Sequence, residues 1–88
     1  MELDVIIAYD ISSDKRRNKL AKGLLRFGIR TQKSLFECKV TKREIKEIKK
    51  VIKRVTDSDD LVTMYQFRSS SVKRLGDESR YTFYDLVF

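Results

Sequence analysis

The tightest constraint on this chain is the order in which two hydrophobic periodicities alternate within its first 67 residues. Leu3 to Tyr9 is a β-branched apolar run of strand length, with apolar residues on both faces, as in a central strand. Leu20, Leu24 and Phe27 then recur at helical spacing, and Ser12 or Ser13 is placed to cap that helix. Gly28 stands where a left-handed C-cap is expected, so the spacing predicts a helix over residues 13–27. Ile29 to Gln32 and Leu35 to Val40 read as strands about a Lys33-Ser34 turn. Thr41 to Glu44 fits a capping box, and Ile45, Ile48, Ile52 and Val55 mark the buried stripe of a second helix. Asp57 to Asp60 is a turn, and Leu61 to Phe67 is a further strand.

This β-α-β-β-α-β order predicts an α+β, ferredoxin-like sandwich over residues 1–67, with both helices on one face. The expected arrangement makes the first and third strands central neighbours that run parallel, joined through right-handed crossovers. Residues 68–88 form a polar linker followed by an additional C-terminal strand from Tyr81. That strand is expected to pair with the sheet of a partner protomer in a homodimer. The alternative is that it folds back on its own edge.

A chain of 88 residues allows one small domain, for which a partner subunit is a natural source of extra buried area. Cys38 is the only cysteine, and histidine is absent. An intrachain disulfide and a structural zinc site are therefore excluded. Triads, Cys-His dyads and histidine-based ribonuclease chemistry are excluded on the same ground. Cutting a phosphodiester with these side chains would take a metal ion, carboxylates, or Lys, Tyr and Arg groups. Cys38 reads as a small buried residue. No secretory signal and no apolar run of spanning length are visible, so no membrane and a cytoplasmic setting are expected. Twenty Lys and Arg against thirteen Asp and Glu give a net charge of +7, which favours a polyanion. Much of that charge lies on the second helix, where it reads first as a solvated face.

Asp10 ends the first strand, and Asp14-Lys15-Arg16-Arg17 follows. A carboxylate at the mouth of a buried strand beside a basic helix start suits a metal held against a phosphate. The competing reading is an aspartate that caps the turn into the helix. Tyr9 points to the opposite face from Asp10 and reads as core. Ser12 caps a helix or contacts a phosphate. Arg17 leans towards the buried face, with Arg16 about 100° round the helix. Arg16, Arg17 and Arg30 offer forks for phosphate oxygens, and Lys33 and Ser34 sit on a turn that can touch a backbone phosphate.

The segments Tyr9-Asp10-Ile11-Ser12, Asp14 to Leu20, and Gly28-Ile29-Arg30-Thr31-Gln32-Lys33-Ser34-Leu35-Phe36-Glu37-Cys38, with Asp59-Asp60 before Tyr65-Gln66-Phe67, resemble the small CRISPR-associated adaptation protein, the Cas-two family. The resemblance implies a homodimeric ferredoxin-like protein that partners the CRISPR integrase when foreign DNA is inserted into an array, a step of antiviral defence. It implies a metal-dependent endonuclease, acting on RNA or DNA with Mg2+ or Mn2+ held by Asp10. Phe36 is implied to lie near the site. Within the same resemblance, the alternatives are a non-catalytic DNA-binding scaffold for the integrase and a related toxin-type ribonuclease.

Overall fold

The computed structural model describes residues 2–68. Its elements are β1 (Leu3–Asp10), α1 (Asp14–Leu24), β2 (Gly28–Gln32), β3 (Leu35–Val40), α2 (Lys42–Val55) and β4 (Leu61–Phe67). They form one four-stranded sheet in the order β2-β3-β1-β4. The expected ferredoxin-like order is therefore present, and β1 and β3 are the central neighbours.

The expected direction of that central pair is overturned. β1 and β3 are antiparallel, with Val5 opposite Cys38 and Ile7 opposite Phe36. β4 is antiparallel to β1, and β2 to β3. The reason is topological. The α1 crossover returns β2 in the direction of β1 but one strand away, and the tight hairpin at Lys33-Ser34 then reverses β3 into the gap between them.

Alternation sorts the sheet into two faces. Val5, Ile7 and Tyr9 from β1 and Phe36, Cys38 and Val40 from β3 form one core with Leu20 and Leu24 of α1 and Ile48, Val51 and Val55 of α2. The helices therefore cover this face. The opposite face carries Ile6, Ala8 and Asp10 beside Tyr65, Thr63 and Leu61 of β4.

The helix boundaries differ from the reading by periodicity at one end. α1 stops at Leu24, and Leu25 closes it in right-handed helical conformation with its N–H on the carbonyl of Lys22. Gly28 is the first residue of β2 and does not cap α1. Its requirement for glycine comes from close packing: a Cβ there would sit 2.3 Å from the backbone oxygen of Glu37 and 2.6 Å from the sulfur of Cys38. At the other end, Ser13 is the N-cap and accepts from the N–H of Arg16. The capping box of α2 is present as read, with Thr41 and Glu44 exchanging bonds of 3.0 and 3.1 Å. The predicted C-terminal strand lies outside the described residues.

Candidate functional site at the mouth of strand β1

Asp10 is the last residue of β1 and is exposed, opposite Leu61 at the start of β4. Among the described residues its carboxylate has no hydrogen-bond or ion-pair partner. The cap that Asp10 was weighed for is supplied by Ser13 instead, at 3.2 Å from the N–H of Arg16. Ser12 is exposed beside it. Asp10, Ala8, Tyr9, Ser34, Leu61 and Thr63 line an open groove of about 300 Å³.

The backbone on each side of Asp10 is held in place by buried or half-buried polar groups. On the N-terminal side, the Tyr9 ring is 4% exposed and its hydroxyl donates to the carbonyl of Lys33 at 3.1 Å. The Tyr9 N–H reaches the carbonyl of Ser34 at 3.0 Å, extending β1 pairing onto the hairpin tip. Arg30 Nε and Nη2 donate to the same Lys33 carbonyl, at 3.0 and 2.5 Å. Burial raises the pKa of the Tyr9 phenol, with the positive charge of Arg30 opposing that shift in part. A register shift between Arg30 and Gln32 bulges β2 at this tip, and bulges commonly re-aim side chains beside functional sites.

On the C-terminal side, Arg17 Nη1 donates to the carbonyl of Ile11 at 2.8 Å, and Nη2 bonds Asp14. The Arg17 side chain is mostly buried, as its lean towards the core predicted, and its Nε has no hydrogen-bond partner. Arg16 places Nε 2.8 Å and Nη2 3.0 Å from the two carboxylate oxygens of Asp60, with Asp57 at 4.0 Å. This two-pronged pair ties the first turn of α1 to the turn that starts β4. The bond to Arg16, helped by the Asp57 N–H, holds the Asp60 carboxyl below its usual range, and the same bond raises Arg16.

The predicted site residues therefore separate into three groups. Asp10 is exposed at the groove, Ser12 is exposed in the loop that follows it, and Lys33 is exposed on the hairpin tip. Tyr9 backs the groove, whereas Arg16, Arg17 and Arg30 brace the neighbouring elements through bonds to the protein's own carbonyls and carboxylates. Phe36 is fully buried opposite Ile7, one pair further into the core. Sequence reasoning assigned no role to Asp60, although Asp59-Asp60 was conspicuous. Its link to Arg16 spans 44 residues and had no local signal. Leu61 and Thr63 were likewise missed as groove walls. Cys38 is fully buried, and burial pushes its thiol up to about 12, so it is no thiolate nucleophile near neutral pH.

No group of three or more Cys, Asp or Glu side chains converges among the described residues. Asp10 alone offers a hard, solvent-facing carboxylate in the groove. That suits magnesium or manganese, which hold several waters and often use only one or two carboxylates, and it does not suit a metal that needs a closed protein cage.

The sequence profile of the family described as CRISPR associated protein Cas2 matches residues 3–75 of this chain. The chain belongs to the Cas2 family. A curated relative, the CRISPR-associated endoribonuclease Cas2 of Thermus thermophilus, is 38% identical over 74 residues, which is 83% of this chain and 79% of the relative. Two further curated Cas2 relatives are spanned over only 60% and 57% of their own length. Among solved structures, Streptococcus pyogenes Cas2 superposes with a TM-score of 0.74 at 30% identity, covering 83% of this chain and 99% of that one. A chain of a partial Cas6-RT-Cas1–Cas2 complex matches with a TM-score of 0.63 at 27% identity, covering 88% and 91%. The Cas2 fold here is thus established by sequence and by structure together.

Proposed function

We propose that this Cas2 chain is a divalent-metal-dependent endonuclease that cleaves phosphodiester bonds in RNA or DNA and serves CRISPR adaptation beside the integrase. The observation that carries the reading is Asp10: a solvent-facing carboxylate without a protein partner among the described residues, on a groove, in a chain that has no histidine. The name endoribonuclease on the Thermus relative supports nuclease chemistry, and the Cas1–Cas2 complex supports an integrase partner. A cytoplasmic setting follows from that role.

Asp10 would hold Mg2+ or Mn2+, which when bound polarises a phosphate and makes bound water more acidic. In a homodimer, Asp10 of each protomer would supply one carboxylate to a shared site. Tyr9 and Arg30 hold the hairpin tip from behind, so Lys33 and Ser34 meet the substrate as a fixed edge. Lys33 supplies a positive charge for a backbone phosphate. Arg17 fixes the loop after Asp10 through the Ile11 carbonyl, and Arg16 fixes α1 against Asp60. Phosphate contacts by Arg16 or Arg17 would require these bonds to be exchanged.

The test compares Asp10→Asn with the wild-type chain on single-stranded RNA and duplex DNA, with Mg2+, Mn2+ or EDTA. Cleavage is expected to need the metal and to fall by about a hundredfold or more in the variant, since a lost metal contact is worth several kcal/mol in the transition state. Equal rates in variant and wild type would remove Asp10 from the mechanism. A second reading, a DNA-binding scaffold for the integrase, is favoured by the absence of a multi-carboxylate cluster among the described residues. Retained duplex binding with no chelator-sensitive cleavage would select it.

A further inference from the structure

The outer surface of α2 is built differently from an ordinary solvated helix. At 100° per residue, Ile45, Ile48, Val51, Ile52 and Val55 occupy the arc turned to the core. On the opposite side, an arc about 140° wide is entirely basic. Lys42, Lys46, Lys49 and Lys53 form one row along it, and Arg43, Lys50 and Arg54 form a second. All are exposed, and none has an ion-pair partner among the described residues. The two acids of the helix lie outside the arc: Glu44 closes the capping box and Glu47 pairs with Arg26 of the α1 end at 3.7 Å.

Solvated helix faces usually interleave both signs, because opposite charges four residues apart attract. Here Lys42 and Lys46, Lys46 and Lys50, Lys49 and Lys53, and Lys50 and Arg54 are all like-charged pairs at that spacing. Arg43 and Glu47 are the one opposite-charge pair of α2 at that spacing, at the edge of the arc, and Glu47 is shared with Arg26. The row from Lys42 to Lys53 has no acid among its members, so a polyanion laid along it would relieve its self-repulsion. The first row spans about 16 Å with a cation every 5–6 Å or so, a spacing suited to a phosphate backbone. No aromatic residue lies on the arc, so it has no platform on which single-stranded bases would stack. A convex helical ridge about 10–12 Å across suits the B-form major groove, whose walls are phosphates, and not the narrow A-form one.

We infer that the basic ridge of α2 is a docking surface for the phosphate backbone of B-form duplex DNA, separate from the Asp10 groove. The groove opens on the uncovered face of the sheet, whereas α2 covers the other, so the two surfaces are on opposite sides of the subunit. The inference goes beyond the nuclease reading and does not depend on Asp10.

The experiment measures binding of the full chain to a mixed-sequence DNA duplex by fluorescence anisotropy across a salt series, in EDTA so that nothing is cut. The Lys46→Gln, Lys49→Gln, Lys53→Gln triple variant is expected to lose about tenfold or more in affinity, and its slope of log affinity against log salt should drop by about 3. A matched α1 variant, Lys15→Gln, Lys19→Gln, Lys22→Gln, removes the same charge and is expected to lose less than about threefold. Because nothing is cut, the outcome is independent of whether the Asp10 groove is a nuclease site. Unchanged affinity and slope in the α2 triple would overturn the inference. Equal losses in the two triples, or equal competition by single-stranded DNA or duplex RNA, would also overturn it.

Discussion

On the helix side of the sheet Val5, Ile7, Phe36, Cys38 and Val40 are sealed from solvent, whereas on the other side Leu61 and Tyr65 remain 63% and 55% exposed. The same β1 strand serves both. Its odd-numbered residues pack the core and its even-numbered residues lead out to Asp10. The covered face therefore sets where the strands lie, and the uncovered face is free to carry a groove. A groove residue can change without disturbing the packing, provided that its backbone is held from behind. Tyr9 joins the two sides: its ring is core, and its hydroxyl and N–H position the tip of the hairpin.

This contrast can be broken most severely at Phe36. Replacing Phe36 with Ala is expected to cost about 3–5 kcal/mol, because a fully enclosed ring leaves a cavity that its neighbours only partly fill. Urea unfolding would measure it. A loss below about 1 kcal/mol would show that the helix side is looser than its burial indicates.

A smaller effect is expected where the two sides are stitched together, at Asp60. Its carboxyl is held below the usual range by Arg16 first and the Asp57 N–H second. A depressed folded pKa gives stability that is complete above the unfolded value, about 4, and is lost as the pH falls through the folded value. The Asp60→Asn variant should therefore be less stable than wild type near neutrality, and the gap should narrow on acidification below about pH 4. Denaturant midpoints at a series of pH values would follow this. A gap that stays constant with pH would show that the pair contributes through geometry alone.

The smallest effect belongs to the open face. Tyr65→Ser is expected to change the stability of the isolated subunit by less than about 0.5 kcal/mol, as for other exposed positions. Unfolding midpoints measured over a wide range of protein concentration sharpen the point. A loss that grows with concentration would mean that a second subunit covers Tyr65.

Most of the fold was legible because its signals are local. The Thr41-Glu44 box, the stripe of Ile45, Ile48 and Ile52, and the alternation in β1 each act within a few residues of themselves. The strand direction was misread although the element order was right, since a hairpin's reversal is a property of the whole path and not of any segment. Gly28 was read as a cap because glycine after a helix usually is one. Its actual constraint is the Glu37 backbone, nine residues on and in contact only once β2 pairs with β3. In the site, Asp10 was identifiable from its place at a strand end. The engagement of Arg16 by Asp60 was not, because it depends on two turns brought together by the sheet. Arg30 was expected to face phosphate, and its fork instead rests on Lys33, three residues away across the hairpin tip.

That tip has one further consequence. A single main-chain oxygen, on Lys33, receives a phenol and a guanidinium from two different strands. The length of the connection between β2 and β3 is thereby locked. A hairpin lengthened by one residue would need to find new acceptors for both groups at once, and so drift in loop size, usually the most tolerated change in a protein's history, is closed off at this corner.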